Sequence, residues 1–138
     1  MRSRKDIKVK NVTAACACFV VLFVAFGRDL RAGDQPEIPS INGSVGSCSA
    51  LFTVLDAAKK PIYDAKINVV IRYGFGGLHK VELQVGTNSD GKARVIGLPE
   101  KSKKPLEFHV RSGDLSKTVM VDATAKCESS VEVVLSGK

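Results

Sequence analysis

Two short stretches of this 138-residue chain decide its fold: VLDAAKKPIYDA at positions 54–65 and TNSDGKARVIGLP at positions 87–99. Each contains the end of one strand, a polar turn and the start of the next strand. In the first, Asp56 can accept backbone N–H groups as its strand ends, and Pro61 fixes φ while donating no ladder hydrogen bond. In the second, Gly91 suits a turn position with positive φ. The two stretches therefore predict successive strands joined by tight turns.

Apolar residues recur at every second position from Cys48 onward, which is the period of half-buried strands. Seven short strands are predicted, separated by turn residues and each with one apolar face. The residues predicted to share those faces are Ala50, Phe52 and Val54; Ala65, Ile67, Val69, Ile71 and Tyr73; Val81, Leu83 and Val85; the short strand 93–96; Leu106, Phe108 and Val110; Val119 and Val121; and Val131, Val133 and Leu135. This pattern predicts an all-β, seven-stranded Greek-key, immunoglobulin-like sandwich, preceded by an N-terminal hydrophobic helix.

The turn residues also carry a family resemblance. The chain resembles the carboxypeptidase regulatory-like domains, which are transthyretin-like (prealbumin-like) β-sandwiches. The resemblance covers roughly residues 48–136 and rests on Asp56, Pro61, Ile62 and Ala65, then on Thr87, Gly91, Ala93, Val95, Leu98 and Pro99. It implies seven or eight strands, a role as an accessory, spacer or binding module, and no catalytic residues of its own. Fold by itself does not assign function.

The N-terminus is basic and then apolar, as in export signals. Five basic residues precede an uncharged run over 11–27. Small residues at Ala25 and Gly27 suit cleavage before Arg28, whereas a run of about 17 residues also reaches the lower limit of a membrane-spanning helix. Residues 1–27 are therefore predicted to be either a signal peptide or a signal-anchor transmembrane helix. Both alternatives export the rest of the chain to the periplasmic or extracytoplasmic side, and the second anchors it in the inner membrane.

Residues 28–47 are rich in Pro, Gly and Ser, so they are predicted to form an extended linker to the sandwich at 48–138. Two cysteines, Cys48 and Cys127, bracket the β region. In an oxidising compartment, two cysteines in one domain predict a disulfide bond. The alternative is a pair of free buried thiols.

The formal net charge of +7 does not indicate nucleic-acid binding, because about +4 of it belongs to residues 1–27. The remainder contains no basic helix and no interleaving of basic and aromatic residues. Lys101, Lys103 and Lys104 form one local cluster, which is either a solvated loop or a contact for acidic lipid headgroups or an anionic glycan. Phe75, within a glycine-rich turn, is a candidate exposed aromatic contact. These four residues are the predicted interaction loops.

The spacing of reactive side chains suggests no chemistry. His79 and His109 lie on different predicted strands and lack the spacing of a metal motif. Residues 88–91 read as a turn because they lack the repeated carboxylates of a calcium loop. The hydroxyisourate hydrolases share the fold and end in Tyr-Arg-Gly-Ser, whereas this chain ends in VLSGK. No catalytic residue, cofactor or metal site is predicted.

The sequence therefore predicts a non-catalytic extracytoplasmic β-sandwich, membrane-tethered or secreted, that acts in protein–protein interaction or as an accessory or structural subunit. A carbohydrate- or cell-envelope-binding module is the alternative. The predicted partner is another envelope or membrane protein, with contact to the membrane through the N-terminal helix if that helix is uncleaved. An enzyme is not predicted.

Overall fold

The computed structural model describes Gly33 and residues 35–137, and the helix predicted within residues 1–27 lies outside this part of the chain. The described residues are all-β, as predicted, apart from one 3₁₀ turn at Phe75–Gly77. Their strands are β1 (Ser40–Asn42), β2 (Cys48–Asp56), β3 (Lys66–Tyr73), β4 (His79–Gly86), β5 (Lys92–Leu98), β6 (Leu106–Ser112), β7 (Leu115–Val121) and β8 (Glu128–Leu135). Among these residues, no helix has both the length and the apolar character needed to cross a membrane.

The prediction of seven strands is wrong, because an eighth strand, β1, forms within the segment 28–47. It pairs in parallel with β5, so that Ser40 lies opposite Arg94 and Asn42 opposite Ile96. A strand of three residues is too short to show an alternating pattern, and its partner is distant in the sequence. The compact unit that contains the sandwich begins at Pro36.

The strands form two four-stranded sheets, with the order β1-β5-β2-β8 in one and β4-β3-β6-β7 in the other. In the first sheet β2 is antiparallel to β5 and parallel to β8. All pairs in the second sheet are antiparallel. Alternate residues of each strand therefore point from one sheet toward the other.

The apolar faces of the two sheets enclose one core. Phe52 of β2 and Phe108 of β6 meet within it, with ring centroids 4.7 Å apart. Both rings are fully buried, and the residues around them are aliphatic. Tyr73 shares the apolar face of β3 but lies beyond the last core residue of that strand, Ile71, and is 40% exposed. The core therefore ends before β3 does.

The turn chemistry predicted for Asp56 and Gly91 is confirmed. Oδ1 of Asp56 accepts the N–H groups of Ala58 and Lys60 at 2.8 and 2.9 Å. Gly91 has a φ of 70°, and a Cβ placed there would lie 2.4 Å from the carbonyl oxygen of Val54. A side chain at this position therefore requires the backbone to move.

Hydrogen bonds also join the two turn stretches to each other. The Thr87 hydroxyl is buried, accepts the N–H of Ala65 at 2.9 Å and donates to the carbonyl of Ile62 at 2.6 Å. The backbone of Thr87 adds one bond from the N–H of Asp64 and one to the carbonyl of Ala65. One threonine side chain thus fixes the entry of β3 against the exit of β4.

A disulfide joins Cys48 and Cys127, as predicted, with the Cα atoms 4.5 Å apart. Cys48 begins β2 and Cys127 directly precedes β8, so the bond ties together the starts of two parallel neighbours. Because 79 positions separate the two cysteines, the bond restricts a large part of the unfolded chain.

Candidate functional site

The connections between strands lie at two opposite ends of the sandwich. One end, which we call the turn end, carries the connections 57–65, 87–91 and 113–114. The other, which we call the groove end, carries the connections 43–47, 74–78, 99–105 and 122–127. The residues predicted to form interaction loops all lie at the groove end: Phe75, Lys101, Lys103 and Lys104.

A groove of about 1060 Å³ opens between the β3–β4 and β5–β6 connections. Val70, Arg72 and Tyr73 of β3 line it together with the glycines of the β3–β4 connection. Residues 99–107 line it from the β5–β6 side, and Val45 and Gly46 contribute from the β1–β2 connection. The groove is thus assembled from segments that are distant in the sequence.

The β3–β4 connection presents two apolar side chains to solvent. Phe75 is 94% exposed and Leu78 is 81% exposed. Three glycines shape the backbone between and beside them: Gly74, Gly76 and Gly77 have φ values of 80°, 65° and 71°, a region that other residues rarely adopt. The N–H of Gly77 donates to Gly74, and that of Leu78 donates to Phe75. We call Phe75 and Leu78 the apolar tip.

A stacked pair of rings holds the base of this connection. Tyr73 and His79 are direct partners across β3 and β4, with ring centroids 5.3 Å apart and an angle of 28° between the planes. A Cβ on Gly74 would lie 2.7 Å from Cδ2 of His79. A side chain at Gly74 would therefore require the His79 ring to move.

The β5–β6 connection supplies three exposed lysines, Lys101, Lys103 and Lys104. Across Gly33 and residues 35–137, none of them, nor Arg72, forms an ion pair with a carboxylate. The nearby carboxylate of Glu100 accepts a hydrogen bond from the Ser47 hydroxyl. The four cationic side chains are therefore available to an anionic ligand.

The groove lining is positive overall. It contains four basic residues and two acidic residues, Glu100 and Glu107. A surplus of one sign of charge in a cleft raises the local concentration of the opposite ion. The Tyr73 ring adds a flat apolar surface to the same lining. The arrangement is suited to an anionic group carried on an apolar or planar body.

The histidines lie apart from each other. His79 belongs to the stacked pair, whereas His109 lies on the exposed side of β6, as predicted. Nδ1 of His109 is 3.0 Å from Oγ1 of Thr118, and its Nε2 is 3.7 Å from Oε1 of Glu107. In the part of the chain that the structure describes, no three His, Cys, Asp or Glu side chains are close enough to hold a metal ion.

Three residues of the site were missed by sequence reasoning: Arg72, Tyr73 and Leu78. Leu78 follows the same glycine-rich turn that singled out Phe75, so an apolar residue on the far side of that turn was an available signal. Arg72 and Tyr73 are the last two residues of β3, and the alternation of apolar and polar residues along that strand gave no reason to assign them a role in binding. Only the three-dimensional structure shows that this strand end borders the lysine loop.

No protein-family model matches the sequence, and no curated protein matches it. Among solved structures, the chain aligns with catechol 1,2-dioxygenase from Pseudomonas arvilla C-1 at 12% identity and a TM-score of 0.48, over 74% of this chain and 59% of that one. Catechol 1,2-dioxygenase from Acinetobacter sp. ADP1 aligns at 13% identity and a TM-score of 0.48, over 72% of this chain and 59% of that one. 3-Chlorocatechol 1,2-dioxygenase from Rhodococcus opacus 1CP aligns at 11% identity and a TM-score of 0.43, over 75% of this chain and 68% of that one. The chain thus spans about 59% of the length of the first two enzymes.

These alignments correct two predictions. The chain was predicted to be a non-catalytic module for protein–protein interaction, with carbohydrate or cell-envelope binding as the alternative, and not an enzyme. Both statements are contradicted by this finding, since the solved proteins with which the chain aligns are named as enzymes. At identities of 11–13% the likeness transfers no reaction, substrate or residue role to this chain.

Proposed function

We propose that the groove end binds an anionic ligand, a phosphate or carboxylate group attached to an apolar or planar body. The observation that carries this proposal is the meeting of four unpaired basic side chains with the Tyr73 ring in one groove. The lysines supply attraction that does not depend on one fixed ligand geometry, because an ammonium group on a flexible stem behaves as a point charge.

Arg72 has a different role in this proposal. Its guanidinium is planar and offers paired N–H donors, which match the two oxygens of a carboxylate or phosphate. It extends from a strand, whereas the lysines extend from a connection, so its position is better defined. Arg72 therefore orients the anionic group, and the lysines attract it.

In this proposal the site works outside the cytoplasm, on a transthyretin-like Greek-key sandwich of the carboxypeptidase regulatory-like kind. The Cys48–Cys127 bond supports export, since disulfides persist in oxidising compartments. The basic and then apolar pattern of residues 1–27 supports it independently. The family assignment is supported by Asp56 and Gly91, whose turn roles are those that the resemblance implies.

Calorimetric titration of the purified full chain with pyrophosphate tests this function. The chain offers two adjacent pairs of exposed lysines, Lys103–Lys104 at the groove end and Lys59–Lys60 at the turn end. We expect K103Q/K104Q to weaken pyrophosphate binding by about tenfold, since each lost surface charge contact is worth up to about 1 kcal/mol. The same charge change in K59Q/K60Q should leave the affinity unchanged.

Two results would contradict the proposal. One is wild-type protein that shows no saturable heat of binding at low ionic strength, where screening of exposed charges is weakest. The other is an equal loss of affinity in both lysine-pair variants, which would assign binding to net charge rather than to the groove.

A further inference from the structure

We propose that the anionic ligand is the headgroup layer of a membrane, and that the apolar tip inserts into it. This inference rests on the proposed function, because the lysines that border the groove are also the groups that meet the lipid phosphates. It adds a new element, the role of Phe75 and Leu78, which protrude beside the groove.

The exposure of the apolar tip is the first argument. Isolated exposed apolar residues are common on soluble proteins, as Tyr63 and Met120 show here. Phe75 and Leu78 differ because two large apolar side chains protrude from one connection of five residues, 74–78, and both are more than four-fifths exposed. A clustered apolar projection of this kind is typical of an interaction site.

Charge complementarity selects the membrane as the occupant. The β5–β6 connection, which lines the same groove as the glycines of the β3–β4 connection, carries Lys101, Lys103 and Lys104, and Arg72 lines that groove as well. Apolar side chains beside lysines form the combination that binds anionic bilayers, in which the apolar groups enter the acyl boundary while the cations stay at the phosphates. Lysine stems can span that boundary because their methylene groups tolerate apolar surroundings.

The shape of the β3–β4 connection fits insertion. The rings of Tyr73 and His79 stack where the connection begins and ends, and both side chains of the apolar tip are already exposed before they meet a bilayer. Its own N–H groups at Gly77 and Leu78 are partly satisfied within the turn, which lowers the cost of taking the backbone toward an apolar phase. Tyr73, at the start of the same connection, is an aromatic ring with a polar end, a type of side chain that favours the membrane interface.

A fluorescent reporter at the apolar tip tests the inference in the full chain, because its signal reports on the position of the tip itself and not on residues 1–27. The protein contains no tryptophan, so Phe75→Trp introduces a single reporter at the tip and Tyr63→Trp a matched one at the turn end. Each variant is mixed with phosphatidylcholine vesicles that carry brominated acyl chains, with and without phosphatidylglycerol. Bromine quenches tryptophan only when the ring enters the acyl region.

We expect the Phe75→Trp emission to shift to the blue and to be quenched on vesicles that contain phosphatidylglycerol, while Tyr63→Trp stays unquenched. Adding K103Q/K104Q should raise the lipid concentration needed for half-quenching by about 25-fold, which is roughly fivefold for each lysine near an anionic surface. Adding Leu78→Ser should raise it by about tenfold. K59Q/K60Q should have no effect.

Emission from Phe75→Trp that remains unquenched on phosphatidylglycerol vesicles would overturn the inference. The pyrophosphate titration separates this failure from that of the proposed function. If pyrophosphate still binds and depends on Lys103 and Lys104, the groove takes a soluble anion and only membrane insertion is wrong. If neither pyrophosphate nor vesicles respond to those lysines, both the inference and the proposed function are wrong.

Discussion

At the turn end of the sandwich, three side chains organise the connections by accepting or donating several backbone hydrogen bonds each. Asp56 binds two N–H groups, and Thr87 joins β3 to β4. Asn88 accepts the N–H groups of Asp90 and Lys92 and donates to the carbonyls of Pro36 and Glu37. At the groove end, the β3–β4 and β5–β6 connections carry exposed apolar and cationic side chains instead, and a disulfide fixes the strands beside them.

The difference separates two uses of polar residues. At the turn end their hydrogen-bonding capacity is consumed within the fold, so little is left for a ligand. At the groove end the charged groups of Arg72 and the three lysines form no ion pair within the described residues, and glycines shape the backbone of the β3–β4 connection. Unpaired charge is thus concentrated at the groove end, which is also stabilised by the Cys48–Cys127 bond and by the hydrogen bonds that Asp122 accepts in the 122–127 connection.

The largest expected effect concerns the Cys48–Cys127 disulfide. Reduction of Cys48–Cys127 should lower the free energy of unfolding by about 4 kcal/mol, since it releases the loop-closure constraint on the unfolded chain. Urea unfolding of the full chain with and without a reductant measures the change. The Cys48→Ala/Cys127→Ala variant is the control, because the reductant should leave its midpoint unchanged. If the reductant shifts the urea midpoint of that variant by the same amount, the loss of stability does not come from breaking the Cys48–Cys127 bond.

The next effect compares two glycines of the turn end. Gly91→Ala should destabilise the protein by about 3 kcal/mol, because its positive φ disfavours a side chain and its Cβ would strike the Val54 carbonyl. Gly113 has a φ of 56° but open space around its Cβ position, so Gly113→Ala should cost only about 1 kcal/mol. Urea unfolding gives both values. Equal losses would mean that the close packing of the two turn stretches contributes nothing.

The smallest effect is a pH dependence at the groove end. The Thr124 side chain, with help from backbone N–H groups, lowers the pKa of Asp122 below its ordinary value of 3.8 by hydrogen bonding to the carboxylate. Ionised Asp122 therefore stabilises the fold above pH 3.8, and this contribution is lost as the pH falls through the lowered pKa. In Thr124→Ala, NMR titration should show the pKa of Asp122 rising toward 3.8. An unchanged pKa would show that the threonine does not cap this connection.

Much of the fold could be predicted because alternation and turn chemistry are local properties. Asp56 and Gly91 predicted the turns in which they lie, and Cys48 and Cys127 predicted the disulfide that they form. The strand β1 could not be predicted, since three residues show no period and only pairing with β5 makes them a strand. The end of the core before Tyr73 depends on how far the opposite sheet extends, which the strand itself does not encode.

The candidate site was predictable only in pieces. The sequence predicted Phe75 as an exposed aromatic contact and the three lysines as a basic cluster, without relating the two. Their proximity follows from the order β4-β3-β6-β7, which brings the β3–β4 and β5–β6 connections to one end. Without that topology, the sequence could not show that the two connections line one groove.

The most direct test of the division between the two ends is an amide chemical-shift titration of the full chain with pyrophosphate. If the groove end is the binding site, the largest shifts will fall in residues 72–78 and 99–107, while residues 57–60 and 87–91 will not respond. Shifts concentrated at the turn end, or spread evenly over all exposed lysines, would contradict the account.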